Sequence, residues 1–186
     1  MALKLERLGA LYEERLNDPG KALALYGEWA DLGTRRTAAL RAQLRAAEKA
    51  GDALVAAEAA LKLGTEIADL PPPVRFAWCY RAGVIFEERA AADDEAVRAY
   101  EAALALDAAS RPALAGLARA HYRSGQLDRL AAVLLRQAAC ETNPAGASAF
   151  AVEAARICAF RLGRIEEAQA ACRSSTAASR SSWPLR

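Results

Sequence analysis

The sequence predicts an all-α protein made of repeated helical hairpins, and three observations predict it. The first is that one stretch is written twice. Leu8-Gly9, Tyr12, Glu13-Glu14-Arg15, Ala22 and Tyr26 return as Ala82-Gly83, Phe86, Glu87-Glu88-Arg89, Ala96 and Tyr100, every pair 74 positions apart. Gly51 and Gly125 share that offset. The second is composition: 54% of the 186 residues are hydrophobic but only 6% are aromatic. Alanine carries the apolar count, which suits closely packed helices, and stretches dense in the β-forming residues Val, Ile and Thr are absent. The third is the placing of small residues one helical turn before an aromatic, as Ala82-Gly83 stand before Phe86. Helices approach closely only where side chains are small, and a glycine inside a helix costs about 1 kcal/mol against alanine. Gly9 and Gly83 therefore mark tight contacts.

Taken in order, residues 3–16 form the first helix. Asn17-Asp18-Pro19-Gly20 ends it and opens the next, with Asp18 as N-cap and Pro19 at the first helical position. The second helix runs to about Asp31 and stops at Gly33, and Thr34 or Thr37 caps the third. Residues 37–50 and 53–64 make the next hairpin around Gly51-Asp52. They keep an apolar stripe (Leu40, Leu44, Ala47, Ala56, Ala60, Leu63) but no aromatic marks it. Residues 64–73 read as a frayed helix end followed by a stiff lead-in at Pro71-Pro72-Pro73. Residues 75–107 are two amphipathic helices joined near Ala90–Asp94, with Asp93 as cap. The following hairpin has Ser110 as cap, Pro112 in the first turn, Ser124-Gly125-Gln126 between its helices and Asn143-Pro144 at its close. A last hairpin spans about 147–173 with Gly163 at its turn. Ser174–Arg186 lacks an apolar stripe and reads as an unstructured or truncated tail.

Ala82, Gly83 and Phe86, followed by Ala96, Tyr100 and Ala103, resemble the tetratricopeptide pattern W-x2-L-G-x2-Y…A-x3-F, in a degenerate form. Half of the 74-residue offset is 37, near the roughly 34 residues of a tetratricopeptide (TPR) unit. The resemblance implies an α-solenoid of about five helix-turn-helix units wound as a right-handed superhelix, at about 3–32, 37–64, 74–107, 111–142 and 147–173. One such hairpin cannot bury its apolar side alone, so neighbours stack to share a core.

No catalytic chemistry is expected. His121 is the only histidine, and without a placed acid or thiol it reads as a core-edge or groove residue. Cys79, Cys140, Cys158 and Cys172 lack CxxC spacing, so no metal site is expected, and they read as small buried residues. A Cys158–Cys172 disulfide has no support in the sequence. No phosphate loop, HExxH or GxSxG occurs, and no cofactor is expected. The acid pairs Glu13-Glu14, Glu87-Glu88 and Glu166-Glu167 read as solvated surface. With 25 basic and 23 acidic residues, a net charge of +2, nothing concentrates a basic face for nucleic acid. No run approaches the about 18 uncharged apolar residues of a membrane span. Glu6, Glu13 and Glu14 interrupt the segment where a signal peptide needs an apolar run, so a cytoplasmic location is expected.

Function is then expected from a surface. In proteins this chain resembles, the first helix of each unit lines a concave groove that takes an extended peptide or a partner helix. Carried over, the groove positions are Arg41, Arg45 and Lys49, then Tyr80, Val84 and Glu87, then Arg119, Tyr122 and Arg123, and finally Glu153, Ile157 and Arg161. Arg and Tyr are enriched at binding hot spots, which points to an acidic or C-terminal peptide as ligand. TPR domains that clamp the carboxylate of heat-shock chaperones use groove asparagines. Here Asn17 and Asn143 both lie at turns, so that activity is not expected. The reading is a non-catalytic scaffold or adaptor, able also to self-associate through uncapped ends. The alternative is a regulatory fragment of a larger enzyme, transcription regulator or peptide-signal sensor.

Overall fold

A computed structural model describes residues 1–171 and 173. The helices are α1 (Ala2–Glu14), α2 (Pro19–Asp31), α3 (Arg36–Ala50), α4 (Ala53–Thr65), α5 (Pro72–Glu88), α6 (Asp93–Leu106), α7 (Arg111–Arg123), α8 (Leu127–Cys140) and α9 (Pro144–Arg156). A π-helical turn, Ile157–Arg161, continues α9, and residues 165–171 are helical. No strand occurs among the described residues. None of their helices is long and apolar enough to cross a membrane. The expected tail at 174–186 and Cys172 lie outside the described residues.

The chain divides into two compact units, Met1–Leu106 and Asp107–Arg186. In the first, each helix packs on the next, from α1 against α2 through to α5 against α6. In the second, α7 packs on α8 and α8 on α9. The core of the second gathers Leu130, Leu134, Ala154, Ile157, Cys158 and Ala168.

The repeat seen in the sequence is also a repeat of backbone conformation. Asn17 and Ala91, 74 positions apart, both have left-handed φ, at 49° and 50°. The Asp18 amide donates to the Tyr12 carbonyl and the Ala92 amide to the Phe86 carbonyl, at 2.9 and 3.0 Å. The two glycines do what their cost implies. A Cβ built on Gly9 would stand 2.5 Å from Cε1 of Tyr26, and one on Gly83 would stand 2.7 Å from Cδ1 of Tyr100. Each hairpin therefore closes with a tyrosine ring laid on a glycine. Phe86 is fully buried beside this contact, a burial that stabilises by on the order of 2 kcal/mol.

Several termini differ from the sequence reading. Asp18 caps α2 as expected, accepting from the Lys21 amide at 3.0 Å. Neither Thr34 nor Thr37 caps α3. Its N-cap is Arg35, held at φ 52° without a side-chain cap bond. The Thr34 carbonyl is taken by the Trp29 indole at 3.1 Å, and Arg35 bonds Glu6 at 2.6 Å with its guanidinium over the Trp29 ring. Asp93 is the first residue of α6 rather than the residue ahead of it. Ser110 occupies the cap position of α7, but its hydroxyl makes no cap bond. Pro72 and Pro73 are not a lead-in; they are the first residues of α5, where the missing N–H would have no helical partner in any case. Asn143-Pro144 opens α9 instead of closing the hairpin before it, because the Asn143 carbonyl oxygen of the side chain accepts from the Ala145 amide at 3.0 Å.

Candidate functional site

The expected groove residues fall into two groups, and the first is committed to the fold. Glu13 of α1 is 6% exposed and Glu87 of α5 is 7% exposed. Each corrects the reading of its acid pair as solvated surface for that one member, while Glu14, Glu88, Glu166 and Glu167 are exposed as expected, and Glu87 is not an exposed groove position. The cause is the tyrosine on the facing helix: the Tyr26 hydroxyl donates to Glu13 at 3.1 Å and the Tyr100 hydroxyl to Glu87 at 2.6 Å. A buried carboxylate needs charged partners as well. Arg45 of α3 donates to both Glu13 oxygens, at 2.8 and 2.9 Å, and Lys49 donates at 2.7 Å. The Arg45 guanidinium holds the Glu13 carboxyl down at about 2, with Lys49 and Tyr26 acting in the same sense against burial. Burial, and then the neighbouring carboxylate, push the Tyr26 hydroxyl up to about 12. Arg45 and Lys49 are thus drawn down onto α1. Arg41 on the same helix is exposed. Tyr80 and Val84 of α5 are half-buried. The Tyr80 ring stacks on Phe76 at 6.1 Å and lies 5.9 Å from the Tyr100 ring.

The second group does come together. Arg119, Tyr122 and Arg123 of α7 and Ile157 at the end of α9 line one cavity of about 720 Å³. Glu153 and Arg161 also border it. The geometry follows from helix spacing. Arg119 and Arg123 are four residues apart on α7, and Glu153, Ile157 and Arg161 step along α9 and its π turn at the same interval, so each set forms one edge. Ile157, expected to be exposed, is buried and contributes to the floor.

Sequence reasoning missed the rest of this groove. Its floor is Leu127, Leu130 and Leu134 of α8, a signal that was present as an i, i+3, i+7 stripe. Its lining also includes Phe160, 83% exposed, with Tyr122, 70% exposed. Phe160 could not be placed from periodicity because the π turn shifts its register; such turns concentrate at functional positions. Arg156 also borders the groove and pairs with Glu153 at 3.2 Å. The result is an apolar trough about the size of a ligand site, framed by four arginines and one acid.

The Gly–Tyr hairpins, stacked helix on helix, decide the architecture. The fold is TPR-like. No protein-family model and no curated protein matches the chain. Among solved structures, it is similar to a double mutant of MamA RS-1, with 18% identity over 97% of this chain and 95% of that one and a TM-score of 0.47. It is similar to MamA from Desulfovibrio magneticus RS-1, with 17% identity, coverage of 98% and 97%, and a TM-score of 0.46. It is also similar to a thermophilic TPR protein of Thermus thermophilus, with 20% identity, coverage of 94% and 90%, and a TM-score of 0.37.

The remaining chemistry-bearing side chains of this TPR-like chain sit away from the groove. His121 is neither core-edge nor groove: it is 2% exposed, on the inner side of α7. Cys79 and Cys158 are buried free thiols whose pKa burial pushes up, and Cys140 is half-buried. Among the described residues no three His, Cys, Asp or Glu side chains are placed to hold a metal ion. What the groove offers chemically is apolar area bordered by the exposed Arg161.

Proposed function

We propose that the chain is a non-catalytic interaction module, and that the groove of its second unit takes an acidic peptide segment with apolar anchors. The observation that carries this reading is the pairing of an apolar floor (Leu127, Leu130, Leu134) and two exposed aromatic side chains with the exposed Arg161 on the rim. Aromatic and arginine side chains around a desolvated centre are the usual composition of a binding hot spot. Isolated exposed apolar residues need no explanation, but Tyr122 and Phe160 flank one trough. Acidic residues on the ligand would meet Arg161 and its neighbours, raising the on-rate and setting register.

The test is titration of fluorescent peptides into the full chain: an amphipathic peptide with Leu anchors and Glu flanks, and its counterpart with Lys flanks. The acidic peptide is expected to bind and the basic one not. Tyr122→Ala and Phe160→Ala should each weaken binding about tenfold, and Arg161→Glu should do so mainly at low salt. Equal binding of the two peptides, or no effect of the two aromatic variants, would refute the assignment.

A further inference from the structure

The second unit holds another hollow, on a different face of α8 from the groove. It is a cavity of about 600 Å³, a size that takes large apolar groups. Ala131 and Leu135 of α8, Ala151 of α9 and Cys158 of the π turn form its wall, with Leu162 and Ala171 beyond them. None of these residues lines the groove. Ala131, Ala151, Cys158 and Ala171 are buried, so the hollow is set into packed core. Packed interiors leave few voids wider than a water molecule, and an unfilled one costs stability in proportion to its volume. An apolar lining offers water too few hydrogen-bond partners to fill it.

The border of the cavity is acidic. Asp128 and Glu167 are exposed there beside Arg164. Arg164 and Glu167 pair at 3.6 Å, while Asp128 makes no ion pair among the described residues. An occupant that combines bulky apolar groups with positive charge fits both features.

The chain itself carries such a segment. Residues 174–186 lie outside the described residues, and their sequence has two large apolar residues, Trp183 and Leu185, two arginines, Arg180 and Arg186, and no acid. Trp183 stands twelve positions after Ala171, which is in the wall. That length reaches about 40 Å at full extension, enough to turn back onto the cavity. Pro184 disfavours helix at Trp183, and in an extended segment residues 183 and 185 face the same way. We propose that Trp183 and Leu185 fold back to fill this cavity, with the neighbouring arginines meeting Asp128 at its border. An indole buries on the order of 200 Å², and the alanines of the wall leave it room. This contact is independent of the groove.

The test incorporates fluorinated tryptophan into the full chain and adds a soluble nitroxide, which broadens the fluorine signal of exposed rings. Trp183→Phe identifies the Trp183 signal. It is expected to broaden no more than that of Trp29, which is 2% exposed. Ala151→Leu, which narrows the cavity, should expose the indole and broaden its signal. Asp128→Arg, at an exposed position, should do the same without disturbing the core. Tyr122→Ala should change nothing. Independently, Trp183→Ala should speed alkylation of Cys158, followed by peptide mass mapping, about tenfold. The proposal is overturned if the Trp183 signal of the native chain broadens fully, if neither Ala151→Leu nor Asp128→Arg exposes it, or if Cys158 alkylation is unchanged. It is overturned in favour of exchange between copies if protection is lost on dilution. It is overturned in favour of an outside apolar ligand if anilinonaphthalene sulfonate binds the native chain as strongly as the Trp183→Ala chain.

Discussion

At Glu13 a single carboxylate accepts four hydrogen bonds from three side chains, and its charge is part of the fold. Its pKa falls from 4.5 to about 2 on folding. The stabilisation is therefore complete above about pH 4.5 and is lost as pH falls toward 2. The full shift corresponds to on the order of 3 kcal/mol. The exposure of Arg45 and Lys49 lets solvent screen part of that, leaving about 2 kcal/mol. Glu13→Gln is expected to lower stability by about that amount at pH 7, measured by denaturant unfolding, and to flatten the difference from the native chain below pH 4.5. Ala91 makes the opposite prediction. It holds φ 50° with a Cβ, a conformation that costs an ordinary residue roughly 1–2 kcal/mol. Ala91→Gly should raise stability by about 0.5–1 kcal/mol once the freer unfolded chain is counted. These residues also show where the sequence stopped being legible. Glu13 and Glu14 look alike in one dimension, and only the facing Tyr26 separates a buried acceptor from a solvated acid. Arg45 and Lys49 looked like ligand-facing cations for the same reason: their acid partner lies more than thirty residues earlier in the chain.

At the scale of the element, helix identity and hairpin order were readable because small residues and aromatics recur at fixed spacing. Helix ends were not, because they depend on contacts from other elements. Arg35 caps α3 in place of a threonine since Trp29 and Glu6 hold it there. The π turn after α9 left no periodic signature, so Phe160 and half of the groove went unseen. The close approach of the helices predicts what an added methyl group would do. Gly9→Ala would place a methyl group inside the Tyr26 ring contact, and Gly64→Ala would place one against both a thiol and a backbone carbonyl. Each is expected to cost about 1–3 kcal/mol by overpacking, read as a lower denaturation midpoint at unchanged slope. A variant as stable as the native chain would show that the helices can separate freely.

For the whole molecule, contacts between near neighbours dominate, as in other arrays whose stability is a sum of local and nearest-neighbour terms. A lesion should then stay local. In the Gly9→Ala chain, hydrogen exchange is expected to quicken in α1 to α3 while α8 and α9 keep their protection. Uniform loss across the chain would mean a single cooperative block instead. The 74-residue repeat, with its glycines and tyrosines, was the strongest signal in the sequence because it reports a contact that both copies need. The candidate groove was the weakest, because exposure depends on what each neighbour leaves uncovered.

The spacing of these copies has a consequence for how such a chain can change length. If α3 and α4 were excised, α5 would move up beside α1, and Ala82 and Phe86 would stand where Arg45 and Lys49 now meet Glu13. A buried anion facing a methyl group and a benzene ring would cost several kcal/mol. Removal of that single hairpin is thus expected to destabilise what remains, seen as a lower denaturation midpoint than that of the native chain.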